Sequence, residues 1–293
     1  MPRVLANGIQ VHYQQVGQGP DVVLVHGVSG DLSIWYTGVM PRLAGEFRIT
    51  AYDLRGHGYS EVTPSGYTTA HMAADLVGLL DSLRIERAHL VGHSFGAAVA
   101  LHCALLHPER VTSLVLADPG IPALTEFLDL KKWPYFQQAV FKAREFGLEI
   151  PEDKWFDPEY IARQWLAAGS PVPFGLRPGI KRRNQRLVRL VEATTALADS
   201  MEVAGLTLER LSEIRQPILA IYGEASRLLQ TAPYLQEKMP NCRVEVVEGA
   251  AHFFALARPE VLASHVRAFL HALAAAGPTG TGLEPERAAF HDS

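Results

Sequence analysis

The sequence predicts an α/β protein: a mostly parallel central sheet with helices on both faces. Three observations carry that expectation. Short apolar runs recur at residues 22–25, 88–91, 111–117 and 217–222, the pattern of strands buried on both faces. Helical patterns separate several of these runs, as the crossovers of a parallel sheet require. One run leads through Gly92-His93-Ser94-Phe95-Gly96 directly into a small-residue helix pattern, Ala97-Ala98-Val99-Ala100-Leu101. A serine on such a strand-to-helix turn is strained and exposed, and the first helical turn beside it leaves backbone N–H groups free.

The elements follow in order. Residues 9–15 alternate apolar and polar and read as a strand with one exposed face. Gly17-Gln18-Gly19-Pro20 is a turn, and the buried strand 22–25 ends at His26-Gly27. A helix is expected over 33–44, then a short strand over 47–52 that ends at Asp53-Leu54-Arg55-Gly56-His57-Gly58. Thr68 or Thr69 can cap the next helix, whose Met72, Leu76, Leu79, Leu80 and Leu83 share one face. The serine-bearing strand and helix come next, then the strand 111–117. Late in the chain, strands at 217–222 and 243–247 precede a helix over 259–274.

Between residues 118 and 212 the rhythm breaks. No clear buried strand occurs there. Trp133, Tyr135, Phe136, Phe141, Trp155, Phe156, Tyr160, Trp165 and Phe174 lie in helical stretches interrupted by Pro171-Val172-Pro173-Phe174-Gly175. An insertion of that size at the C-terminal edge of a parallel sheet sits over the ligand crevice. Residues 119–212 are therefore expected to form a helical cap, with 1–118 and 213–275 as the core and 276–293 as a frayed polar tail. More than half of the cap's aromatic residues are expected only to hold it together. Trp35, Trp133, Phe136 and Phe253 are candidates to line a substrate pocket.

Composition narrows the function. The chain has 293 residues, 48% hydrophobic and 20% charged, with a net charge of −4, which suits a globular core and disfavours an electrostatic nucleic-acid binder. The basic run Lys181-Arg182-Arg183-Asn184-Gln185-Arg186 lacks interleaved aromatics and reads as a solvated helix face. The two cysteines, Cys103 and Cys242, have no partners at metal-ligand spacing, so neither a metal site nor a disulfide framework is expected. The N-terminal residues hold no long apolar stretch of the secretory kind, and no apolar run is long enough to cross a bilayer. The expectation is a cytoplasmic protein acting on a small-molecule substrate, with no cofactor; no feature of the sequence sets an oligomeric state.

Several features fall in a fixed order, each at the end of an expected strand. They are His26-Gly27, Asp53-Leu54-Arg55-Gly56-His57-Gly58-Tyr59-Ser60, the 92–96 elbow, and Gly249-Ala250-Ala251-His252-Phe253-Phe254. Together they resemble the capped branch of the α/β-hydrolase superfamily over roughly residues 9–274. The resemblance implies a cap inserted after the sixth strand and a Ser–acid–His triad in that chain order. Ser94 is then the nucleophile and His252 the base, and the backbone N–H groups of Val28 and Phe95 form the oxyanion hole. His93 would point away from the crevice, His57 has a structural role, and His26 braces backbone.

The acid departs from the family's commonest pattern. Relatives usually carry Asp three residues past the glycine that ends the next-to-last strand, and here that position is Ser226. Serine cannot hold the charge that orients an imidazolium. Asp118, at the end of the preceding strand, and Glu224, in the usual loop, are the two replacements, with an acid-less dyad as the third reading. The resemblance implies a serine hydrolase cleaving an ester or thioester of an apolar, small-to-medium substrate. Carbon–carbon cleavage of β-diketones, perhydrolysis and a non-catalytic ligand-binding protein on the same scaffold are the alternatives. Epoxide hydrolase and haloalkane dehalogenase chemistry are disfavoured, because those relatives place Asp where this chain has Ser94.

Overall fold

The computed structural model describes residues 2–28, 30–145, 147–157, 160–161, 163–164 and 189–276. The basic run 181–186, the 171–175 interruption, Trp165, Phe174 and the tail beyond residue 276 lie outside the described residues. The eight strands are β1 (Arg3–Ala6), β2 (Ile9–Val16), β3 (Asp21–Val25), β4 (Arg48–Tyr52), β5 (Ala88–His93), β6 (Val111–Ala117), β7 (Ile218–Gly223) and β8 (Cys242–Val247). They form one sheet in the order β1-β2-β4-β3-β5-β6-β7-β8. β3 through β8 run parallel, and the β1–β2 hairpin adds an antiparallel edge. β3 lies between β4 and β5, so the connections leave it in opposite directions. Loops diverge there at the carboxyl ends of the strands and open a crevice.

β1 adds to the sequence expectation. Asn7 and Gly8 both take positive φ, 48° and 80°, as a tight hairpin turn requires, and that Asn-Gly pair was its sequence signal. The helix expected over 33–44 is two pieces, α1 (Ser33–Tyr36) and α2 (Val39–Leu43). Pro41 has no N–H to offer the carbonyl of Thr37, which breaks the ladder. At Gly38, in the break, a Cβ would come within 2.7 Å of Pro259.

Two apolar layers cover the sheet. One holds α3 (Thr69–Ser82) and α4 (Phe95–Leu106), with Leu76, Leu79, Leu80 and Leu101 packed against Leu90 and Leu114. Apart from His102, α4 is apolar all round, because its residues 95–104 are all buried. Its Ala97, Ala98, Ala100 and Ala104 let it approach the strands closely. The opposite layer holds α1, α2 and the C-terminal helix Pro259–Ala276, with Leu24, Val91 and Leu219 under Leu43, Leu262 and Phe269. Trp35 belongs to this second layer. It is fully buried among core residues, which corrects the expectation that it lines a pocket.

Past β6 the chain forms short helices, including Phe136–Glu145. Ala143, Leu148 and Trp155 make a small core of their own, joined by Trp133 and Phe136. The Trp133 indole N–H donates to the Ala225 carbonyl (3.2 Å), and an Arg227 guanidinium N–H donates to the Trp155 carbonyl (2.5 Å), so this segment is fastened to the loop after β7.

Candidate active site

The geometry begins with the turn between β5 and α4. Ser94 has φ 54° and ψ −123°, a backbone state that costs a non-glycine residue energy and persists only where its surroundings enforce it. They do so by close packing. A Cβ on Gly92 would come within 2.4 Å of the Gly96 carbonyl, and one on Gly96 within 2.3 Å of the Val25 carbonyl. The turn therefore sits tight against the end of β3, with Ser94 at the N-terminus of α4 and only half-buried. Phe95 is the first residue of the helix, where an N–H has no intrahelical acceptor. Val28 follows Gly27, whose Cβ would touch Ser94 Cβ at 3.0 Å, so the loop after β3 lies directly beside the elbow.

Gly120 is a further component that sequence reasoning missed. Its N–H donates to the Ser94 carbonyl (3.1 Å), and a Cβ there would stand 3.4 Å from Ser94 Oγ and 3.6 Å from the Phe95 nitrogen. Its bare Cα keeps open the space beside the hydroxyl and the helix N-terminus. The sequence signal was Asp118-Pro119-Gly120 at a strand end.

Asp118 follows β6 immediately, with φ 48° and no exposed surface. Its Oδ1 accepts from the Gly223 N–H (3.0 Å). Its Oδ2 accepts from the Ser226 hydroxyl and from His252 Nδ1, both at 2.5 Å. Glu224 is held elsewhere: its Oε2 accepts from the Gly249 N–H (2.8 Å), and it also bonds Tyr135. Of the two candidate acids, the structure brings Asp118 to His252. Ser226, at the usual acid position, donates to that carboxylate.

His252 reaches the elbow from the loop after β8. His93 is what holds it there. The His93 ring is buried, its Nε2–H donates to the His252 carbonyl (2.9 Å), and the two rings are 5.0 Å apart. Burial first, and the neighbouring His252 second, push the His93 pKa down to about 4, so it stays neutral at pH 7. Phe253 is partly exposed and sets its ring edge-on to His252 at 4.5 Å. Trp133 and Phe136 instead pack on each other and on Trp155. Among the described residues, no hydrogen bond joins Ser94 Oγ to His252.

The remaining histidines of the motifs serve backbone. His26 Nδ1–H donates to the Gly27 carbonyl and its Nε2 accepts from the Leu54 N–H, tying the loop after β3 to the loop after β4. Asp53 fastens the same region, accepting from the N–H groups of Leu32 and Tyr59 and pairing with His12. Among the described residues, no three His, Cys, Asp or Glu side chains come together where they could hold a metal ion, and no helix is long and apolar enough to cross a membrane.

Known proteins agree with this architecture. Residues 20–145 match the family described as alpha/beta hydrolase fold. Epoxide hydrolase 3 of Siraitia grosvenorii is 40% identical over 304 residues, covering 90% of this chain and 96% of that protein. The dihydrolipoyllysine-residue acetyltransferase component of an acetoin cleaving system from Cupriavidus necator is 31% identical over 84% of this chain, which spans only 62% of that longer protein. The solved structure of Est816, an N-acyl homoserine lactone degrading enzyme, superimposes with a TM-score of 0.66 at 26% identity, covering 92% of this chain and all of that one. A parallel sheet with a strained serine elbow, met from the last strand's loop by a carboxylate-bound histidine, and this agreement along nearly the whole chain lead to one statement: the protein belongs to the alpha/beta hydrolase fold family.

Proposed function

We propose that this protein is a cofactor-free serine hydrolase that cleaves a carboxylic ester or thioester through an acyl-enzyme. The observation that carries the reading is the 2.5 Å contact between His252 Nδ1 and Asp118 Oδ2. A carboxylate that accepts from Nδ1–H leaves the Nε2 lone pair free, and that lone pair is what a serine hydroxyl needs in order to lose its proton. Ser94 Oγ attacks the substrate carbonyl carbon, and its proton goes to His252 Nε2. The carbonyl oxygen becomes an oxyanion held by the Val28 and Phe95 N–H groups. Collapse expels the alcohol or thiol, which takes the proton from His252. Water then attacks the acyl carbon, His252 takes its proton, and the acid leaves as Ser94 Oγ regains that proton.

The likeness to an epoxide hydrolase does not redirect this reading, because Ser94 stands at the elbow. A serine ester is the intermediate that such a residue forms with an acyl group. The likeness to an N-acyl homoserine lactone degrading enzyme supports attack at an acyl carbonyl. Turnover of p-nitrophenyl butanoate by the wild type, and its loss in Ser94→Ala, is the test. A fluorophosphonate should label the wild type at Ser94. Equal turnover by both proteins removes the mechanism. Absence of both turnover and label leaves a ligand-binding protein on a hydrolase scaffold.

A further inference from the structure

One arginine stands beside the proposed triad without a bonded carboxylate. Arg227 directly follows Ser226, whose hydroxyl donates to the Asp118 oxygen that His252 uses. Its guanidinium is held from the cap side. Nη1–H donates to the Trp155 carbonyl (2.5 Å), and the group lies over the Phe156 ring, 5.5 Å from its centre. The cation therefore sits between the cap segment and the loop that carries Ser226. Among the described residues, nothing bonds its Nε–H or Nη2–H groups. Those two donors form the flat fork that a carboxylate accepts side-on. Arg227 is half-buried, so part of it remains within reach of a ligand.

Arg55 shows what this fold does with a buried arginine that only supports structure. Its Nε–H and Nη2–H donate to the two oxygens of Asp75, at 2.6 and 2.5 Å. Burial alone would lower the Arg55 pKa, and Asp75 reverses that shift. At Arg227 burial lowers the pKa, and Asp118 does not reverse it. Both Asp118 oxygens are already taken by the Gly223 N–H, the Ser226 hydroxyl and His252. A guanidinium stays charged at neutral pH, so Arg227 is a partly desolvated cation with its fork open. Fastening the cap does not require that charge. Trp133 already ties the same segment to the Ala225 carbonyl, and one neutral donor would serve the Trp155 carbonyl. An unpaired, desolvated charge weakens a fold, and a ligand that brings the anion recovers the loss. The carbonyl and the aromatic ring that hold the guanidinium add no second cation, so the site matches one carboxylate rather than a phosphate dianion.

We infer that the Nε–Nη2 edge of Arg227 is an anion subsite of the active site that pairs with a carboxylate on the substrate, so the enzyme is selective for acidic esters or thioesters. The inference rests on the hydrolase reading of Ser94 and names the substrate class of that same site. The carboxylate belongs to the acyl chain or to the alcohol; the chemistry at Arg227 is the same, and two series of esters separate these sources.

The test runs at pH 7, where carboxylates are ionised. In the acyl series, the mono-p-nitrophenyl esters of glutaric, adipic and pimelic acids are compared with the same compounds methylated at the free carboxylate. In the alcohol series, 4-(carboxymethyl)phenyl butanoate is compared with its methyl ester, the methylene insulating the leaving oxygen from the change. With the wild type, kcat/KM for the carboxylate should exceed that for its methyl ester by at least about tenfold in one of the two series. In Arg227→Gln that ratio, taken within the variant, should fall to about one. A ratio within one protein cancels any general loss from loosening the contact with Trp155. No carboxylate preference in the wild type in either series, or a preference that survives in Arg227→Gln, overturns the inference. The wild-type comparison stands alone if the variant does not fold. Should the wild type turn over none of these esters, the hydrolase reading fails separately. Calorimetric Kd values for the same intact pairs then decide the matter: a carboxylate binding at least about tenfold tighter than its methyl ester sustains the subsite, and equal or unmeasurable affinities sink it.

Discussion

Asp118→Asn isolates what the buried carboxylate contributes to the proposed triad. Three donors converge on it: the Gly223 N–H on Oδ1, and the Ser226 hydroxyl and His252 Nδ1–H on Oδ2. Asparagine offers one acceptor oxygen and one NH2. If its oxygen faces His252, the NH2 meets the Gly223 N–H, two donors head to head at a site with no solvent access. If its oxygen faces Gly223, Ser226 can turn its lone pairs to the NH2, and only His252 must change, by giving up the proton on Nδ1. The second arrangement sets no two donors against each other, so it should prevail. The proton then sits on Nε2, where it blocks acceptance from Ser94. The expected cost is about 10³–10⁴ in kcat, or about 4–5.5 kcal/mol of barrier. Release of p-nitrophenol measures the rate, and a thermal melt verifies that the fold is kept. Glu224→Gln is the comparison. Its side chain retains an acceptor for the Gly249 N–H, so its rate should stay within about threefold of wild type. An Asp118→Asn enzyme that keeps more than a tenth of its activity, or a Glu224→Gln enzyme that loses more than nine-tenths, would refute this reasoning.

Adding Ser226→Asp to Asp118→Asn should recover at least about tenfold of the lost kcat, because the Ser226 hydroxyl already lies 2.5 Å from the oxygen that His252 uses. Arg55→Ala should destabilise the fold by about 3–5 kcal/mol in urea titrations, since the buried Asp75 would lose its two-pronged guanidinium partner. His57, His89, His93 and His102 all have pKa values lowered to about 4, chiefly by burial. The unfolded chain takes up protons near pH 6.5 that the folded one refuses until about 4, so their contribution is complete above pH 6.5 and is lost as pH falls through that window. The urea midpoint should therefore drop between pH 7 and pH 5, and a midpoint that rises would contradict the burial of these rings.

Much of this was legible in the chain because the parallel strands are short, doubly buried and closed by glycine turns. Residues 22–25, 111–117 and 217–222 could be read within a residue or two, since a strand covered on both faces must be apolar throughout. What escaped depended on contacts distant in sequence. Trp35 is an aromatic near the oxyanion loop, and nothing local says that its side chain turns down into the layer under Phe254 and Leu262. The split of helix 33–44 needed the weight of Pro41 and of the Pro259 contact at Gly38. His93 is separated by 159 residues from the carbonyl it supports, and the Ser226 hydroxyl by 108 from the carboxylate that accepts from it. Residue type and motif order made Ser94 and His252 candidates, but the partners of Asp118 required the register of the sheet.

That register also explains why an acid can stand on either strand. β6 and β7 are parallel neighbours with Ala117 opposite Ile221, so their ends lie side by side. Asp118 bonds the Ile221 carbonyl through its N–H, and its positive φ goes with a side chain that crosses the end of β7 to the Gly223 N–H. Ser226, three residues beyond Gly223, turns back to the same point. The loop bearing His252 can close over it because Gly223 lacks a side chain: a Cβ there would lie 2.6 Å from the Ala250 carbonyl and 2.9 Å from that of Ala251. One point at the sheet edge is thus reached from two strands and from the loop after a third. An imidazole at that point responds to where the negative charge is, whichever backbone carries it. A serine at position 226 is therefore no sign of a decayed site, since its hydroxyl donates to the carboxylate supplied from β6.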